Sequence, residues 1–180
     1  MIALETLDSG RLGELSAFIN QCWREAYRGI LDDGFLDGLT TRGRLTYLRP
    51  KFERGLTGLA VRERAELIGL TLFGPTHLAG EAPALAGAGE LNMLYVRGDH
   101  LGTGLGHTLM TAAESSLVKQ GYSVIGLDVF SLNVRAVRFY EAHGYAKIGS
   151  KTDTIEGREY GLDIMAKTVE VAGASADRWI

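Results

Sequence analysis

The residues of this sequence that are best suited to chemistry form a glycine-rich loop over 101–106, in which glycine stands at every second position. An apolar, strand-like run over 91–96 precedes the loop, and apolar residues at helical spacing follow it over 105–120. The first turn of a helix carries backbone N–H groups without partners and the positive end of the helix dipole. Glycine also lets the backbone approach a ligand closely. The loop therefore predicts a binding site for a phosphate or pyrophosphate group.

The loop differs from two common phosphate-binding motifs. The P-loop needs Lys-Ser/Thr after its last glycine, and no Lys or Arg occurs between Gly98 and Val118. The dinucleotide-binding motif needs a third glycine, which would fall at His107 or Leu109. Asp128 lies near the distance at which a ribose-binding acid follows that motif, so a dinucleotide ligand stays open as an alternative. Recognition inside the loop must come mainly from backbone N–H groups and the helix dipole.

A second strand and a second helix follow the loop and must position any further reactive groups. The strand covers 124–130, and the helix begins at Asn133 and is closed by Gly144. Tyr140 lies seven residues after Asn133, so the two side chains share one face of this helix. The predicted order around the loop is therefore strand, loop, helix, strand, helix.

These residues carry a resemblance to a known family. Residues 94–106 resemble motif A of the GNAT superfamily, the acetyl-CoA-dependent N-acetyltransferases, in which Arg/Gln-x-x-Gly-x-Gly/Ala follows a strand. Residues 133–145 resemble motif B, Asn-x-x-Ala-x-x-Phe-Tyr-x-x-x-Gly-Phe. Leu101 stands where motif A has Arg or Gln, so side-chain help for the pyrophosphate is missing at that position. Two motifs in order with a strand between them are a far more specific signal than a lone glycine triplet.

The resemblance implies an α/β fold with a mixed, mostly antiparallel central sheet, one splayed pair of parallel strands and flanking helices. The strand ending near Val96 and the strand beginning near Ser123 would be that pair, and the pantetheine arm would fill the opening like an added strand. The implied co-substrate is acetyl-CoA, with no metal. The implied cofactor-binding residues are Met93, Leu94, Val96, Leu101, Gly102, Thr103, Gly104, Leu105, Gly106, His107, Asn133, Ala136 and Tyr140.

The resemblance also suggests catalytic groups. Tyr140 is the expected general acid for the CoA sulfur, because a phenol with an ordinary pKa of about 10 keeps its proton at neutral pH. Glu90 is the expected general base, acting directly or through water, and Asp128 is an alternative on the neighbouring strand. The structural alternatives are a core tyrosine for Tyr140 and a surface charge at the strand end for Glu90.

The expected reaction moves acetyl directly from acetyl-CoA to a primary amine of a small molecule in a ternary complex. Acetylation of a protein N-terminus or lysine is the alternative activity, and a non-catalytic CoA-binding sensor is the alternative of another class. Acyl groups longer than acetyl also stay open. Homodimers are frequent in the family, and the sequence does not decide between monomer and homodimer.

Bulk composition favours a single globular N-acetyltransferase domain over 1–180, with a loosely held tail from about 169 to 180. The net charge of −3 argues against non-specific nucleic-acid binding. Cys22 is the only cysteine, so no intramolecular disulfide can form, and four histidines with one cysteine give no zinc pattern. No apolar stretch is long enough to span a membrane, and no signal peptide is recognisable, so a cytoplasmic location is expected.

Three further segments are interpreted from their residue patterns. Trp23 and Tyr27 share one face of a predicted N-terminal helix and either pack in the core or line the acceptor site. Residues 74–89 are rich in Ala, Gly and Pro and predict a long, mobile connection, in which His77 is interpreted as a solvated residue. Residues 151–157 are polar and predict a turn or loop.

Overall fold

Apolar and alternating runs of the chain form the strands of one mixed sheet in the computed structural model, which describes residues 3–7 and 9–170. The strands are β1 (Leu4–Leu7), β2 (Thr57–Glu63), β3 (Glu66–Pro75), β4 (Gly89–Val96), β5 (Val124–Phe130), β6 (Ala146–Ile155) and β7 (Arg158–Thr168). Their order across the sheet is β1-β2-β3-β4-β5-β7-β6. Neighbours pair antiparallel except β4 and β5, which are parallel. This topology confirms the predicted fold class.

Helices cover both faces of the sheet. Within the described residues they are α1 (Leu12–Ala26), α2 (Asp33–Asp37), α3 (Thr41–Glu53), α4 (Leu105–Lys119) and α5 (Val134–Ala142), with 3-10 turns at Ser9–Arg11, Leu78–Gly80, Pro83–Leu85 and Gly98–His100. On one face, Leu15 and Ile19 of α1 pack against Leu70 of β3. On the other face, Leu109 of α4 packs against Ile68 of β3. No helix in this part of the chain is long and apolar enough to cross a membrane.

The parallel pair separates almost at once. Only Gly89 with Ile125 and Glu90 with Gly126 are paired between β4 and β5. On its other side β4 carries a bulge at Asn92, because Met93 lies opposite Leu72 whereas Leu91 lies opposite Phe73. A bulge bends the strand and redirects its side chains. Leu91 consequently packs on the α4 face and Met93 on the α1 face, and the expected splay is present.

The connection from β3 to β4 differs from its prediction. Residues 74–89 are held by a small apolar cluster in which Leu78 and Leu85 are fully buried against Ile164. The sequence does not predict this packing, because two leucines in a short segment rich in Pro and Ala show no periodicity. The segment therefore holds His77 at a fixed place beside the sheet.

The predicted loop over 151–157 is also wrong. β6 continues to Ile155, with Lys151 paired to Leu162 and Asp153 paired to Tyr160 across β7. The polar composition predicted a loop, but it is that of an edge strand. β6 lies at the edge of the sheet, where alternate side chains face water. Of the predicted tail, residues 171–180 lie outside the described residues.

A close contact in the sheet generates a stability prediction. A Cβ at Gly58 would lie 2.7 Å from the backbone oxygen of Thr71 and 2.5 Å from Leu72 Cδ2. Gly58→Ala is therefore expected to lower the free energy of unfolding by about 1–3 kcal/mol, since overpacking forces side chains and backbone to shift. Urea denaturation followed by circular dichroism measures the change.

Gly13→Ala is the matched control. Gly13 lies in α1 with no atom within 4 Å of an added Cβ. The substitution is expected to leave stability unchanged or raise it by up to about 1 kcal/mol, because alanine favours helix over glycine. Equal stability of the two variants would contradict the packing described for β2 and β3.

Candidate active site

A cavity of about 750 Å³ lies where β4 and β5 separate, and it brings most of the predicted cofactor residues together. Glu90, Thr103 and Leu105 do not line it. Leu105 packs in the core, with 2% of its surface exposed, and Thr103 donates its hydroxyl to the backbone oxygen of His100 at 2.7 Å. The predicted residues that do line it are Met93, Leu94, Val96, Leu101, Gly102, Gly104, Gly106, His107, Asn133, Ala136 and Tyr140.

The glycine loop has the geometry of an anion site. Gly102 and Gly104 have φ angles of +77° and +85°, a left-handed conformation that side chains disfavour. Gly104 is the N-cap of α4. It has no side chain that could accept the free N–H groups in the first turn of that helix. Since no atom lies within 4 Å of a Cβ built at either glycine, the loop is open to a ligand. The residues present fit a phosphate or pyrophosphate group.

The gap between β4 and β5 offers a second kind of contact. From Leu91 to Val96, β4 has a ladder partner in β3 but none in β5. Its N–H and C=O groups on the open side are therefore available to an extended ligand, as at a sheet edge.

Helix α5 and its N-cap residue supply two of the predicted side chains. Asn133 is the N-cap of this helix, and its side-chain oxygen accepts the N–H of Ala136 at 3.3 Å. Its oxygen thus serves the cap, which leaves the amide nitrogen for a ligand. Burial, with the neighbouring Tyr95 and Asp128, raises the pKa of Tyr140 well above its ordinary value. Tyr140 therefore keeps its proton throughout the neutral range.

Glu90 is buried behind the cavity wall, with 1% of its surface exposed. Its Oε2 lies 2.7 Å from His77 Nδ1 and accepts the backbone N–H of His77 at 2.8 Å. Burial alone would raise the pKa of Glu90, but the hydrogen bonds from His77 and Asn92 outweigh it, and the pKa is lowered. Because His77 lines the cavity, Glu90 faces it through that imidazole. Sequence reasoning missed His77, since only the packing of 74–89 reveals the contact.

Aromatic rings line the cavity on the α1 side. Trp23 donates its Nε1–H to the hydroxyl of Tyr95 at 2.8 Å, and its ring packs against Tyr27 at 5.0 Å in an edge-on arrangement. Tyr27 in turn packs against Phe130 at 5.1 Å. Trp23 and Tyr27 belong both to an apolar cluster and to the cavity wall. The two interpretations of these residues are therefore compatible.

A charged pair lies on β5 and β6. Lys151 Nζ is 2.6 Å from Asp128 Oδ2 and 3.6 Å from Asp153 Oδ1, and all three residues line the cavity. Burial alone would lower the pKa of Lys151, but Asp128 outweighs it and the pKa is raised. Sequence reasoning missed Lys151 because it predicted a loop there.

Near the glycine loop, His107 Nδ1 lies 2.8 Å from His143 Nε2, and His143 Nδ1 lies 2.6 Å from the backbone oxygen of Phe139. A carbonyl only accepts, so His143 Nδ1 carries a proton, and in the neutral ring its Nε2 accepts from His107. His100, His107 and Arg135 all line the cavity. They bring cationic or protonatable groups to a site whose loop lacks a basic residue. Among the described residues, no three His, Cys, Asp or Glu side chains group as metal ligands do.

Comparison with known proteins defines the class to which this fold and site belong. The sequence model of the Acetyltransferase (GNAT) family matches residues 20–145 of the chain. No curated protein matches it significantly. The chain belongs to the GNAT family of acetyltransferases, since the match covers well over half of its 180 residues. Its enzyme class is accordingly that of the acyl-CoA-dependent N-acetyltransferases, as predicted.

Solved structures show the same fold. PaiA N-acetyltransferase of Thermoplasma acidophilum, in complex with coenzyme A, is 20% identical, with a TM-score of 0.68 over 94% of this chain and 99% of that one. YncA of Salmonella typhimurium, with its cofactor acetyl-CoA, is 18% identical, with a TM-score of 0.69 over 99% of each chain. The ribosomal-protein-alanine N-acetyltransferase of Brucella melitensis is 19% identical, with a TM-score of 0.67 over 93% and 99%.

The left-handed loop generates a binding prediction. Gly104→Ala places a side chain at a φ of +85°, which costs about 1–2 kcal/mol and is relieved only by moving the loop. Movement of the loop turns the N–H groups of the first turn of α4 away from the ligand. We therefore expect the Kd for acetyl-CoA to rise about tenfold, a loss of about 1.4 kcal/mol of binding free energy. Isothermal titration calorimetry with acetyl-CoA measures this.

Gly157→Ala is the control for backbone strain alone. Gly157 has a φ of +78° and no atom within 4 Å of an added Cβ, but it lies in the turn between β6 and β7. This variant is expected to lose stability as Gly104→Ala does and to bind acetyl-CoA like the wild type. Unchanged affinity in Gly104→Ala would argue against the loop as the pyrophosphate site.

Proposed function

We propose that the protein transfers acetyl from acetyl-CoA directly to a primary amine of a small molecule, with both substrates bound at once. The observation that supports this best is one continuous cavity that includes the open glycine loop, Tyr140 and an aromatic wall with carboxylates. Such a cavity suits two reactants held side by side. Positioning of this kind can remove about 7–11 kcal/mol of a bimolecular barrier.

The proposed cofactor half consists of backbone and small side chains. The loop and the start of α4 would hold the pyrophosphate, and the open edge of β4 at Met93, Leu94 and Val96 would hold the pantetheine arm. When bound, acetyl-CoA supplies the thioester acetyl group. The coenzyme A of PaiA and the acetyl-CoA of YncA, in proteins of this fold, support the same ligand here.

The side chains of the cavity favour direct transfer over an acyl-enzyme. Cys22 lines the cavity, but burial raises its pKa to about 12, so it is a neutral thiol and a poor nucleophile at pH 7. Tyr140, protonated throughout the neutral range, is proposed to donate its proton to the departing sulfur. Glu90 is proposed to promote loss of a proton by the amine. Since Glu90 does not line the cavity, it acts through a neighbouring group.

The acceptor half favours a cationic amine. Rings of Trp23, Tyr27 and Phe130 line this part of the cavity and offer apolar contact, which suits the carbons attached to an amine. Asp128 and Asp153 add two carboxylates against the one ammonium of Lys151. Trp23 and Tyr27, at the end of α1, pack with Leu36 of α2, and we take this packed wall to favour a compact acceptor over a protein segment.

Cofactor identity is tested first. Acetyl-CoA and CoA are expected to raise the melting temperature, and NADH and ATP at equal concentration are expected to leave it unchanged. A ligand that binds only the folded state adds about 2.7 kcal/mol at a hundredfold excess over its Kd. Differential scanning fluorimetry gives the comparison. Stabilisation by NADH or ATP alone would exclude the proposed reaction.

Acceptor class is tested next, with acetyl-CoA and a panel of amines. The panel contains amino acids, polyamines, an aminoglycoside, a peptide with a free N-terminal alanine and a lysine peptide blocked at its N-terminus. Thiol release and product mass are expected to show acetylation of a small amine. Acetylation of the peptides alone would replace the small-molecule acceptor by a protein acceptor.

The role of Tyr140 gives a kinetic prediction. Tyr140→Phe is expected to lower kcat by about a hundredfold, the usual contribution of a general acid, and to leave the Kd for acetyl-CoA near that of the wild type. Tyr122→Phe is the control, because Tyr122 does not line the cavity. Equal kcat in the two variants would remove Tyr140 from the mechanism.

A further inference from the structure

The most heavily hydrogen-bonded carboxylate beside the cavity is that of Glu90. Its Oε2 contacts the ring Nδ1 of His77 at 2.7 Å, the backbone N–H of His77 at 2.8 Å and the hydroxyl of Thr76 at 3.1 Å. Its Oε1 accepts from the side-chain amide of Asn92. Four donors thus surround one buried carboxylate. Such a group is fixed in place and stays ionised.

The carboxylate determines the tautomer of His77. An ionised carboxylate only accepts, so the proton between the two groups lies on Nδ1 of the imidazole. Nε2 of the neutral ring is then unprotonated. The side chain of His77 is 49% exposed and lines the cavity, whereas that of Glu90 is 1% exposed and does not. The imidazole therefore connects the buried carboxylate to the space in which the substrates meet.

We propose that His77 is the general base of the transfer reaction and that Glu90 is a positioning residue which fixes its tautomer and stabilises its protonated form. This inference rests on the proposed acetyltransferase function and adds the residue through which Glu90 acts. The juxtaposition that carries it is a histidine in the cavity wall backed by a buried carboxylate at hydrogen-bond distance.

The proton balance of the step is complete. The acceptor enters as an ammonium ion, one N–H bond breaks, its electrons stay on nitrogen, and the proton goes to Nε2 of His77, directly or through one water. The freed pair forms the new N–C bond, the C–S bond breaks with its electrons on sulfur, and Tyr140 protonates that sulfur. The surplus proton on the amide nitrogen restores Tyr140, and His77 releases its own proton to solvent.

The other carboxylates near the cavity are less suited to this task. Glu90 cannot reach the substrates, and its lowered pKa makes it a weak base. Asp128 is committed to Lys151 at 2.6 Å. Asp128 would have to leave Lys151 before it could accept a proton, whereas the unprotonated Nε2 of a neutral His77 ring has no ion pair to break. Asp153 also lies near Lys151, at 3.6 Å, and Glu25 accepts from the backbone N–H of Gly98. His77 is therefore the best placed base in the cavity wall.

Several charged groups bear on the proposed base. Glu90 contacts it from β4, Glu81 lies on the same connecting segment, and Asp128 on β5 with Lys151 and Asp153 on β6 line the same cavity. Glu81 is exposed, so water and salt screen its charge. The carboxylates that contact the ring or line the cavity outnumber the one ammonium group there, which stabilises an imidazolium once the proton has been taken. Substitution of Glu90 removes the one carboxylate that contacts the ring.

Three variants test the proposal with acetyl-CoA and the best amine of the panel. His77→Asn keeps an N–H group near Glu90 but has no base, and it is expected to lower kcat by about a hundredfold and to abolish the acid limb of the kcat/KM profile. His77→Ala is expected to regain activity with added imidazole. Glu90→Gln is expected to lower kcat and to shift the acid limb to lower pH, because the imidazolium loses its anionic partner.

Glu81→Gln is the matched control, since it removes the same charge from an exposed residue of the same segment. Its acid limb is expected to match that of the wild type. Long-range 1H–15N spectra without acceptor are expected to show the Nδ1–H tautomer of His77 in the wild type and a tautomer mixture in Glu90→Gln. This spectrum tests the pair independently of any transfer reaction.

The outcomes separate the two proposals. Wild-type rate and pH profile in His77→Asn, or an Nε2–H tautomer in the wild type, would overturn the base while the acetyltransferase proposal stands. A loss of melting temperature in Glu90→Gln with an unmoved acid limb would assign Glu90 a structural role only, which also overturns the pair. Failure of the wild type to acetylate any amine would overturn the proposed function and the base together.

Discussion

The separation of β4 from β5 after two residue pairs is the constraint on which the rest of the site depends. Each strand keeps its outer partner for its whole length, since Val96 still pairs with Gly69 and Phe130 still pairs with Leu162. Each strand is thereby held in its own half of the sheet. Backbone groups inside the sheet are thus left without strand partners, and such groups require water or a ligand. The fold therefore creates an extended binding edge in its own interior.

Under the proposed function, the two ends of the cavity, one for the cofactor and one for the acceptor, recognise their ligands by different means. At the loop, backbone N–H groups and the dipole of α4 favour an anion without a basic side chain in 101–106. On the acceptor side, recognition depends on side chains that distant parts of the chain supply, among them Trp23, Asp128 and Lys151. The first end tolerates substitution of most side chains, since it uses the backbone. The second changes its chemistry whenever one of its side chains changes.

The sequence was sufficient where local physics decides structure. Asn133 begins α5 and Gly144 follows its end, as predicted, because an N-cap and a left-handed residue after the last turn are local requirements. The sequence was insufficient where packing between distant segments decides. The contact of His77 with Glu90 depends on how a segment without periodicity folds onto the sheet, and Lys151 lies on a strand because β7 pairs with it despite its polar surroundings. The fold class and the positions of the loop and helix ends were therefore predictable, and the contacts made by distant segments were not.

The polar residues of β6 also bear on the tendency of the protein to aggregate at high concentration. In the described part of the chain, β6 ends the sheet and has a ladder partner on one side only. A free edge is a template for pairing with other chains, and charged side chains discourage that pairing. Residues 146–155 carry two lysines and an aspartate. The polar composition that predicted a loop thus protects the exposed edge of β6 against aggregation. Residues of higher strand propensity in β6 would make the strand easier to predict from sequence, but they would also favour aggregation of the protein.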